Sequence, residues 1–191
     1  MMKERQGINF QSLLVDSISI VFAVLLALAV DQWRESNSEQ KQAAIALQNI
    51  RNELEANRKI LELIHGNNAA TVAAMSATDE STQEQQFIPG GQLQATAWQT
   101  FLSTGVSNHV DYDTVLKLSA TYSIQAVYKE TGNQITSAAM NVAAYATVVG
   151  KEVQDEDFER QFRGYFEIMI SIEATLLESY ESTLVHFAKD Q

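Results

Sequence analysis

The sequence predicts an all-α protein in which an N-terminal transmembrane helix continues into an extracytoplasmic antiparallel helical bundle. Three observations lead to this fold class: the 191-residue chain contains a single proline, residues 10–30 are almost wholly apolar, and apolar residues further on recur every three or four positions. The hydrophobic fraction of 46 % and the absence of cysteine predict one core that forms without disulfides. The predicted divisions are a short cytoplasmic tail (1–9), the transmembrane helix (10–33) and the bundle (34–191).

Residues 10–30 are long enough for one membrane crossing, because a hydrocarbon core about 30 Å thick needs about 20 helical residues. No second run of the sequence qualifies: 142–149 is short, and 165–177 is interrupted by acidic and polar residues. A cleaved signal peptide is the competing interpretation, since Ala27 and Ala29 resemble an A-x-A cleavage site. The length of the apolar stretch and the acidic residue within it favour a retained span.

The charges that flank the apolar stretch predict its orientation. Lys3 and Arg5 precede it, and basic residues resist translocation, so we expect a cytoplasmic N-terminus. Trp33 is expected to anchor the other end at the outer interface, where an indole ring lies among the headgroups. The rest of the chain would then lie outside the cytoplasmic membrane.

One face of the predicted span carries small and polar side chains at spacings of three and four residues. These candidate packing residues are Ser12, Asp16, Ser19, Ala23 and Ala27. Small side chains let a second helix approach closely, and a charged group inside the membrane costs about 2.5 to 3.5 kcal/mol unless it meets a partner or water. We therefore expect contact with another membrane protein or with a second copy of the chain. The alternative is that Asp16 stays hydrated near the inner interface while the stripe faces lipid.

Beyond the span, the apolar spacing predicts that the same helix continues and that Gly66 ends it. A loosely packed helix is expected over 69–86, followed by a turn at 89–91, where proline and two glycines are adjacent. A short helix is predicted over 92–103, and Gly105 is its expected stop.

The C-terminal half of the sequence predicts three further helices. Asp111 is expected to cap the first of them, which Gly132 would end. An alanine-rich helix follows over 134–149. The last helix, over 158–187, carries aromatic and aliphatic residues almost on a heptad, which is typical of a helix that contributes to a bundle core.

Composition and motifs argue against an enzyme. The net charge of −11 disfavours binding to nucleic acid. His65, His109 and His186 fall in different elements, and none has a second ligand at the helical spacing that metal sites use. Neither nucleotide-binding nor nucleophile motifs occur in the sequence. We therefore expect no cofactor, no metal and no catalytic residue.

The segments VDSISIVFAVLLALAVDQWRE, AIALQNIRNELEANRKIL, AWQTFLSTG and HVDYDTVLKLSATYSIQ follow one another along the chain. This pattern resembles uncharacterised bacterial single-span inner-membrane proteins with a helical extracytoplasmic domain. The resemblance covers most of the chain and implies a location in the bacterial inner membrane, with the bundle in the periplasm. No activity is known for that group, so the resemblance implies no role for Trp98 or Tyr112.

The sequence leaves three hypotheses for function. The first is a non-catalytic accessory or scaffolding subunit whose span packs within a larger inner-membrane complex. The second is a periplasmic sensor bundle that binds a small ligand and signals through a partner. The third is a self-associating membrane spacer, for which crosslinks along Ala44, Leu47 and Leu54 are expected. The identity of the partner and the choice between homo- and hetero-assembly stay open.

Overall fold

The computed structural model describes residues 10–76, 88–149 and 156–189. These residues form helices and connecting segments, with no strand among them, so the predicted all-α class is confirmed. The helices are α1 (Phe10–Ser76), α2 (Thr96–Ser103), α3 (Tyr112–Val149) and α4 (Glu156–Lys189), with one 3₁₀ turn at Val106–His109. The chain divides into two compact units, 1–44 and 45–191, and α1 contributes to both.

The first unit is helical throughout its described part. Its side chains are described from Ile18 onward, and from there to residue 38 every one of them is exposed. Within the described residues, no helix combines the length and the apolar character that a membrane crossing requires.

The second unit is a helical bundle whose core follows heptad spacing. Buried positions on three helices are separated alternately by four and three residues, which is the seam of a left-handed coiled coil. On α1 these positions are Ile50, Leu54, Asn57, Leu61, Ile64, Asn68 and Thr71; on α3 they are Thr114, Leu118, Thr121, Gln125, Tyr128, Gly132 and Ile135; on α4 they are Met169, Glu173, Leu176, Tyr180, Thr183 and Phe187. The bundle core predicted from the last helix is thus confirmed, and the same seam exists on α1 and α3.

Side-chain contacts fix the directions of the three long helices in the bundle. On α3 and α4, Thr114 contacts His186 and Thr121 contacts Thr183, so residue numbers rise on one helix as they fall on the other. These two helices are antiparallel. On α1 and α3, Glu53 contacts Tyr122 and Asn57 contacts Gln125, so residue numbers rise together on the two helices. These two helices therefore run in the same direction.

Because α1 and α3 are parallel, the chain between them has to return along the bundle. Residues 88–95 form part of this return. This segment, which we call the strap, contacts Asn68 at its start and Asn57 at Gln94. From Ile88 to Gln94 the strap advances by six residues, whereas α1 needs eleven residues, from Asn68 to Asn57, to cover the same length. At a rise of about 1.5 Å per helical residue this length is about 16 Å. The strap is therefore largely extended, with one tight turn in which the N–H of Leu93 donates to the carbonyl oxygen of Gly91 at 3.0 Å. It runs antiparallel to α1, and α2 follows it.

Two of the predicted helix ends are confirmed. Gly105 has a positive φ of 71°, a left-handed conformation that glycine adopts without strain, and α2 ends just before it at Ser103. Asp111 caps α3, because its Oδ1 accepts a hydrogen bond of 2.9 Å from the backbone N–H of Thr114.

Two other predicted ends are wrong. The helix α1 continues through Gly66 to Ser76, and α3 continues through Gly132 to Val149, so the alanine-rich segment 134–149 is part of α3. A Cβ at Gly66 would meet open space, whereas a Cβ at Gly132 would collide with the carbonyl oxygen of Pro89 in the strap. The glycine at 132 therefore allows close packing of the strap instead of ending a helix.

Three smaller predictions need correction as well. The short helix begins at Thr96 and not at residue 92, because the strap occupies the preceding positions. Of the expected helix over 69–86, the first part belongs to α1, and residues 77–87 lie outside the described part of the structure. Leu54 is fully buried inside its own bundle, so it is not available for the crosslinks expected of a self-associating spacer.

Candidate functional site: a buried polar network beneath the strap

Polar side chains occupy several heptad positions where a coiled coil normally places apolar ones. They include Asn57 and Asn68 on α1, Gln125 on α3 and Glu173 on α4, all of which are buried. Burying a polar group is unfavourable unless hydrogen bonds replace its contacts with water. The partners of these residues therefore define what the site does.

The two asparagines hold the backbone of the strap. The Nδ2 of Asn68 donates to the carbonyl oxygen of Ile88 and its Oδ1 accepts from the N–H of Ile88, both at 2.8 Å. Asn57 makes the same pair of bonds with Gln94, at 2.7 and 2.8 Å. A primary amide offers one donor side and one acceptor side, so each asparagine satisfies both the N–H and the C=O of one strap residue, as a neighbouring antiparallel strand would. Together they form two clamps on the strap.

A second layer fixes the middle of the strap. The Nε2 of Gln125 donates to the carbonyl oxygen of Gln94 at 2.8 Å, and the hydroxyl of Tyr180 donates to the Oε1 of Gln125 at 2.7 Å. The hydroxyl of Tyr128 accepts a bond of 2.9 Å from the N–H of Gly91. Burial raises the pKa of Tyr128 to about 12 and raises the pKa of Tyr180 further, so both phenols stay neutral near pH 7.

A buried carboxylate on α1, that of Glu53, holds the start of α2. The Oε1 of Glu53 accepts a hydrogen bond of 2.6 Å from the hydroxyl of Tyr122, and its Oε2 accepts one of 2.9 Å from the N–H of Ala97 in the first turn of α2. A negative charge is favourable at that end of a helix, where backbone N–H groups lack partners. Burial, with the Glu53 hydrogen bond as the next cause, raises the pKa of Tyr122 well above its usual range.

The second buried carboxylate lies at the other end of the strap. Glu173 is completely buried; its Oε1 accepts a bond of 2.7 Å from the Nδ2 of Asn68, and its Oε2 lies 3.2 Å from the Nδ1 of His65. Burial raises the pKa of Glu173, although hydrogen bonds from Asn68 and His65 act in the opposite direction. The imidazole of His65 keeps 29 % of its side-chain surface exposed and connects this carboxylate with solvent.

Two surface grooves flank α2. One, of about 460 Å³, lies between α1 and α2; the other, of about 490 Å³, lies between the strap, α2 and α3. The indole of Trp98 forms part of the second groove and stacks on the ring of Tyr122, with centroids 5.1 Å apart and planes 4° apart. Leu93 and Lys129 also line this groove, which therefore combines apolar surface with one cation.

The buried hydrogen-bonding groups are used to position the strap and α2. Within the part of the chain that the structure describes, no group of three acidic, histidine or cysteine side chains could hold a metal ion. The arrangement organises the backbone of the strap and the start of α2.

The residues that the sequence singled out lie in the first unit. Ser19, Ala23 and Ala27 are exposed, and Trp33 is 68 % exposed. The side chains of Ser12 and Asp16 lie outside the described part of the structure. The proposed packing stripe and the interfacial role of Trp33 therefore stay predictions.

Sequence reasoning missed the buried network. One signal could have indicated part of it: Asn57 and Asn68 interrupt an apolar series on α1 that otherwise keeps strict spacing of four and three residues. Polar residues at such positions commonly specify a particular pairing. Their backbone partners, Gln94 and Ile88, carry no comparable signal in the sequence.

Comparison with known proteins adds no relative to the chain: no family model, curated protein or solved structure matches it. The resemblance to single-span inner-membrane proteins therefore stays a prediction from the segments quoted above. Function has to be argued from the residues and their contacts.

Proposed function

We propose that the protein is a membrane-anchored, non-catalytic accessory or scaffolding subunit of a bacterial inner-membrane complex. In this proposal, the N-terminal part of α1 packs within the membrane, and the acidic bundle makes protein contacts on the periplasmic side. The observation that supports it most directly is the exposure of large apolar side chains on every face of residues 18–30. Their exposed fractions lie between 49 and 67 % for Ile18, Ile20, Val21, Phe22, Val24, Leu25, Leu26, Leu28 and Val30.

A helix that is apolar all round requires apolar surroundings, either a protein core or a lipid bilayer. The apolar character of residues 18–30 continues in sequence through residues 10–17, apart from Gln11, Asp16 and two serines. Taken together in sequence, residues 10–30 would extend for about 30 Å as a helix, the thickness of a hydrocarbon core, whereas the described residues by themselves contain no such span. Trp33 and Arg34 follow at the position where interfacial residues are expected.

The organisation of the bundle supports a scaffolding role over a catalytic one. Its buried amides and carboxylates hold the strap and the start of α2 in place. Its surface carries most of the excess of acidic over basic residues, 24 against 13 in the whole chain. Such a surface favours a partner with basic residues and disfavours anionic headgroups and nucleic acid.

Site-specific labelling tests the anchoring proposal. The chain has no cysteine, so single variants Gln6→Cys, Ala23→Cys and Ser38→Cys report one position each. In intact cells, a membrane-impermeant maleimide should label position 38, should label position 6 only after permeabilisation, and should label position 23 only in detergent. Extraction at alkaline pH should leave the protein in the membrane pellet. Release by alkali, together with labelling of position 23 in intact cells, would exclude a membrane-embedded helix.

Purification from the native membrane in mild detergent tests the scaffolding part. A partner that copurifies in fixed stoichiometry is the expected result. A peak that contains this chain alone would contradict an accessory subunit and would favour the self-associating spacer. Crosslinking for that alternative belongs at Ile45 and Leu63, which are 62 and 77 % exposed, and not at the buried Leu54.

A second candidate function, the periplasmic sensor bundle, is favoured by the groove beside Trp98. It has about 490 Å³ of space, and stacked aromatic rings and a lysine are among the residues that line it. Ligand binding there should quench or shift the fluorescence of Trp98 and should be lost in Trp98→Ala. Screening of amphipathic anions against the full chain, with Trp33→Phe to remove the other indole, tests this candidate.

A further inference from the structure

A continuous series of contacts connects solvent with the start of the strap. His65, which is partly exposed, lies 3.2 Å from the carboxylate of Glu173, and Glu173 accepts a bond of 2.7 Å from Asn68. The same amide group of Asn68 donates to Ile88 of the strap. A change at the carboxylate is therefore one hydrogen bond away from the clamp.

We propose that His65 and Glu173 form a proton-controlled latch: the number of protons on this pair sets how firmly Asn68 holds Ile88. Histidine is the side chain whose charge ordinarily changes between about pH 5 and pH 8, and this is the range over which the latch is tested. It is a regulatory device of the bundle and does not depend on membrane anchoring.

The surroundings of the pair leave it as the titrating element of this region. Among the described contacts, α1 contributes His65, α3 contributes Tyr128 as the other titratable neighbour of Glu173, and the strap contributes only backbone groups of Ile88. Tyr128 stays neutral below about pH 12. On α1, Glu62 lies one turn before the histidine and pairs with Arg58 at the surface.

The three protonation states of the pair differ in how well they satisfy the carboxylate. The protons are counted beyond those of a neutral imidazole and an ionised carboxylate. With one such proton on the pair, an imidazolium neutralises the carboxylate, or a carboxylic acid donates to a neutral imidazole. With none, Glu173 is a completely buried charge without a counter-charge, which is strongly unfavourable. With two, the acid O–H faces either the Nδ1–H of His65 or the Nδ2–H of Asn68, so Glu173 loses one of the two hydrogen bonds that it accepts. The singly protonated pair is thus the state that holds Asn68 best.

The other clamp provides a contrast within the same strap. Asn57 holds Gln94 with help from Gln125, and both of these side chains are amides without a titratable proton. Loss of the latch is therefore expected to release the strap at Ile88 and to leave it attached at Gln94. Since Gly91 and Leu93 line the groove beside Trp98, a change at the start of the strap alters the wall of that groove.

Amide hydrogen exchange of the full chain in detergent micelles, followed by NMR, tests the latch. The readout is the protection factor of the Ile88 amide divided by that of the Gln94 amide. Each of these N–H groups donates to one of the two asparagines, and the ratio removes effects of pH that act on both amides alike. Between pH 5 and 8 the ratio should pass through a maximum and change by roughly tenfold, the effect of about one pKa unit of differential interaction.

Two variants and one control decide the assignment. Glu173→Gln keeps an acceptor for Asn68 but removes the shared proton, so the maximum should disappear. His65→Gln leaves Glu173 as a buried acid without the imidazole, so the ratio should then fall steadily as pH rises instead of passing through a maximum. Glu178→Gln removes one exposed charge from the same helix and should leave the wild-type profile unchanged. A flat ratio in the wild type, or a wild-type profile that persists in whichever latch variant folds, would overturn the proposal.

Discussion

The clamp formed by Asn57 gives the most direct prediction for stability. In Asn57→Ala the backbone N–H of Gln94 loses its acceptor at 2.8 Å, while the carbonyl oxygen of Gln94 keeps the bond from Gln125 at 2.8 Å. The variant therefore leaves one partly buried donor without its side-chain partner and removes one of two bonds to an acceptor. A small cavity also replaces part of a completely buried side chain.

The magnitude follows from these losses. An unsatisfied buried donor costs about 1 to 3 kcal/mol, and the lower part of this range applies because the Gln94 N–H is only partly buried. A lost hydrogen bond whose acceptor keeps another partner costs about 0.5 to 1.5 kcal/mol. We expect the free energy of unfolding to fall by about 2 to 4 kcal/mol. For a chain of this size each kcal/mol lowers Tm by about 2 to 4 °C, so Tm should fall by roughly 5 to 15 °C.

Urea and thermal unfolding of the full chain in mild detergent, monitored by far-UV circular dichroism, measure the effect. The matched control is Asn52→Ala, on the same helix, where the exposed side chain bonds only to Gln48 one turn away. The control should change stability by less than about 0.5 kcal/mol. Equal stabilities of the two variants would refute the inference that the asparagine at 57 holds the strap.

Three further predictions concern other parts of the chain. Gly132→Ala should displace the strap and lower the free energy of unfolding in urea. Gly66→Ala, at an open position, should raise this free energy by about 0.5 to 1 kcal/mol. Equal effects of the two substitutions would contradict the packing role of Gly132. Because the folded-state pKa of Glu173 is raised above the ordinary 4.5, the folded protein binds this proton more tightly than the unfolded chain. The contribution of this carboxyl group to the free energy of unfolding should therefore be complete below about pH 4.5 and fall as pH rises through the folded pKa, and Glu173→Gln should flatten that slope in urea titrations; the latch concerns only the local hold of Asn68 on Ile88. Leu25→Lys should move the protein from the alkali-resistant membrane pellet to the soluble or degraded fraction, and an unchanged pellet fraction would argue against burial of this position in lipid.

The helical class was predictable because its signals are local. Apolar residues at intervals of three and four, a capping aspartate at 111 and a stop glycine at 105 act within one or two turns of helix. Gly66 and Gly132 misled the prediction of helix ends because glycine inside a helix is tolerated when tertiary packing supports the helix on both sides. At 132 the reason lies in the strap, 43 positions earlier in the sequence.

The candidate site was not predictable from periodicity, since its contacts join distant parts of the chain. Asn57 meets Gln125 across 68 positions, and Asn68 meets Glu173 across 105. A sequence pattern can show that an asparagine occupies a core position, but it cannot identify the backbone amide that this side chain will hold. The membrane assignment rests on the opposite kind of signal, a local run of apolar residues, and is testable without any knowledge of the bundle.

The two clamps on the strap also have a consequence for the order in which the chain folds. The contacts of Asn68 with Ile88 and of Asn57 with Gln94 span only 20 and 37 positions, so α1 and the strap can pair while the ribosome is still synthesising α3. The partners that complete both clamps arrive later, with Gln125 and finally with Glu173. A nascent chain that stops before α4 would therefore hold its strap in a native register with one clamp incomplete, which makes docking of the last helix the step that commits the bundle.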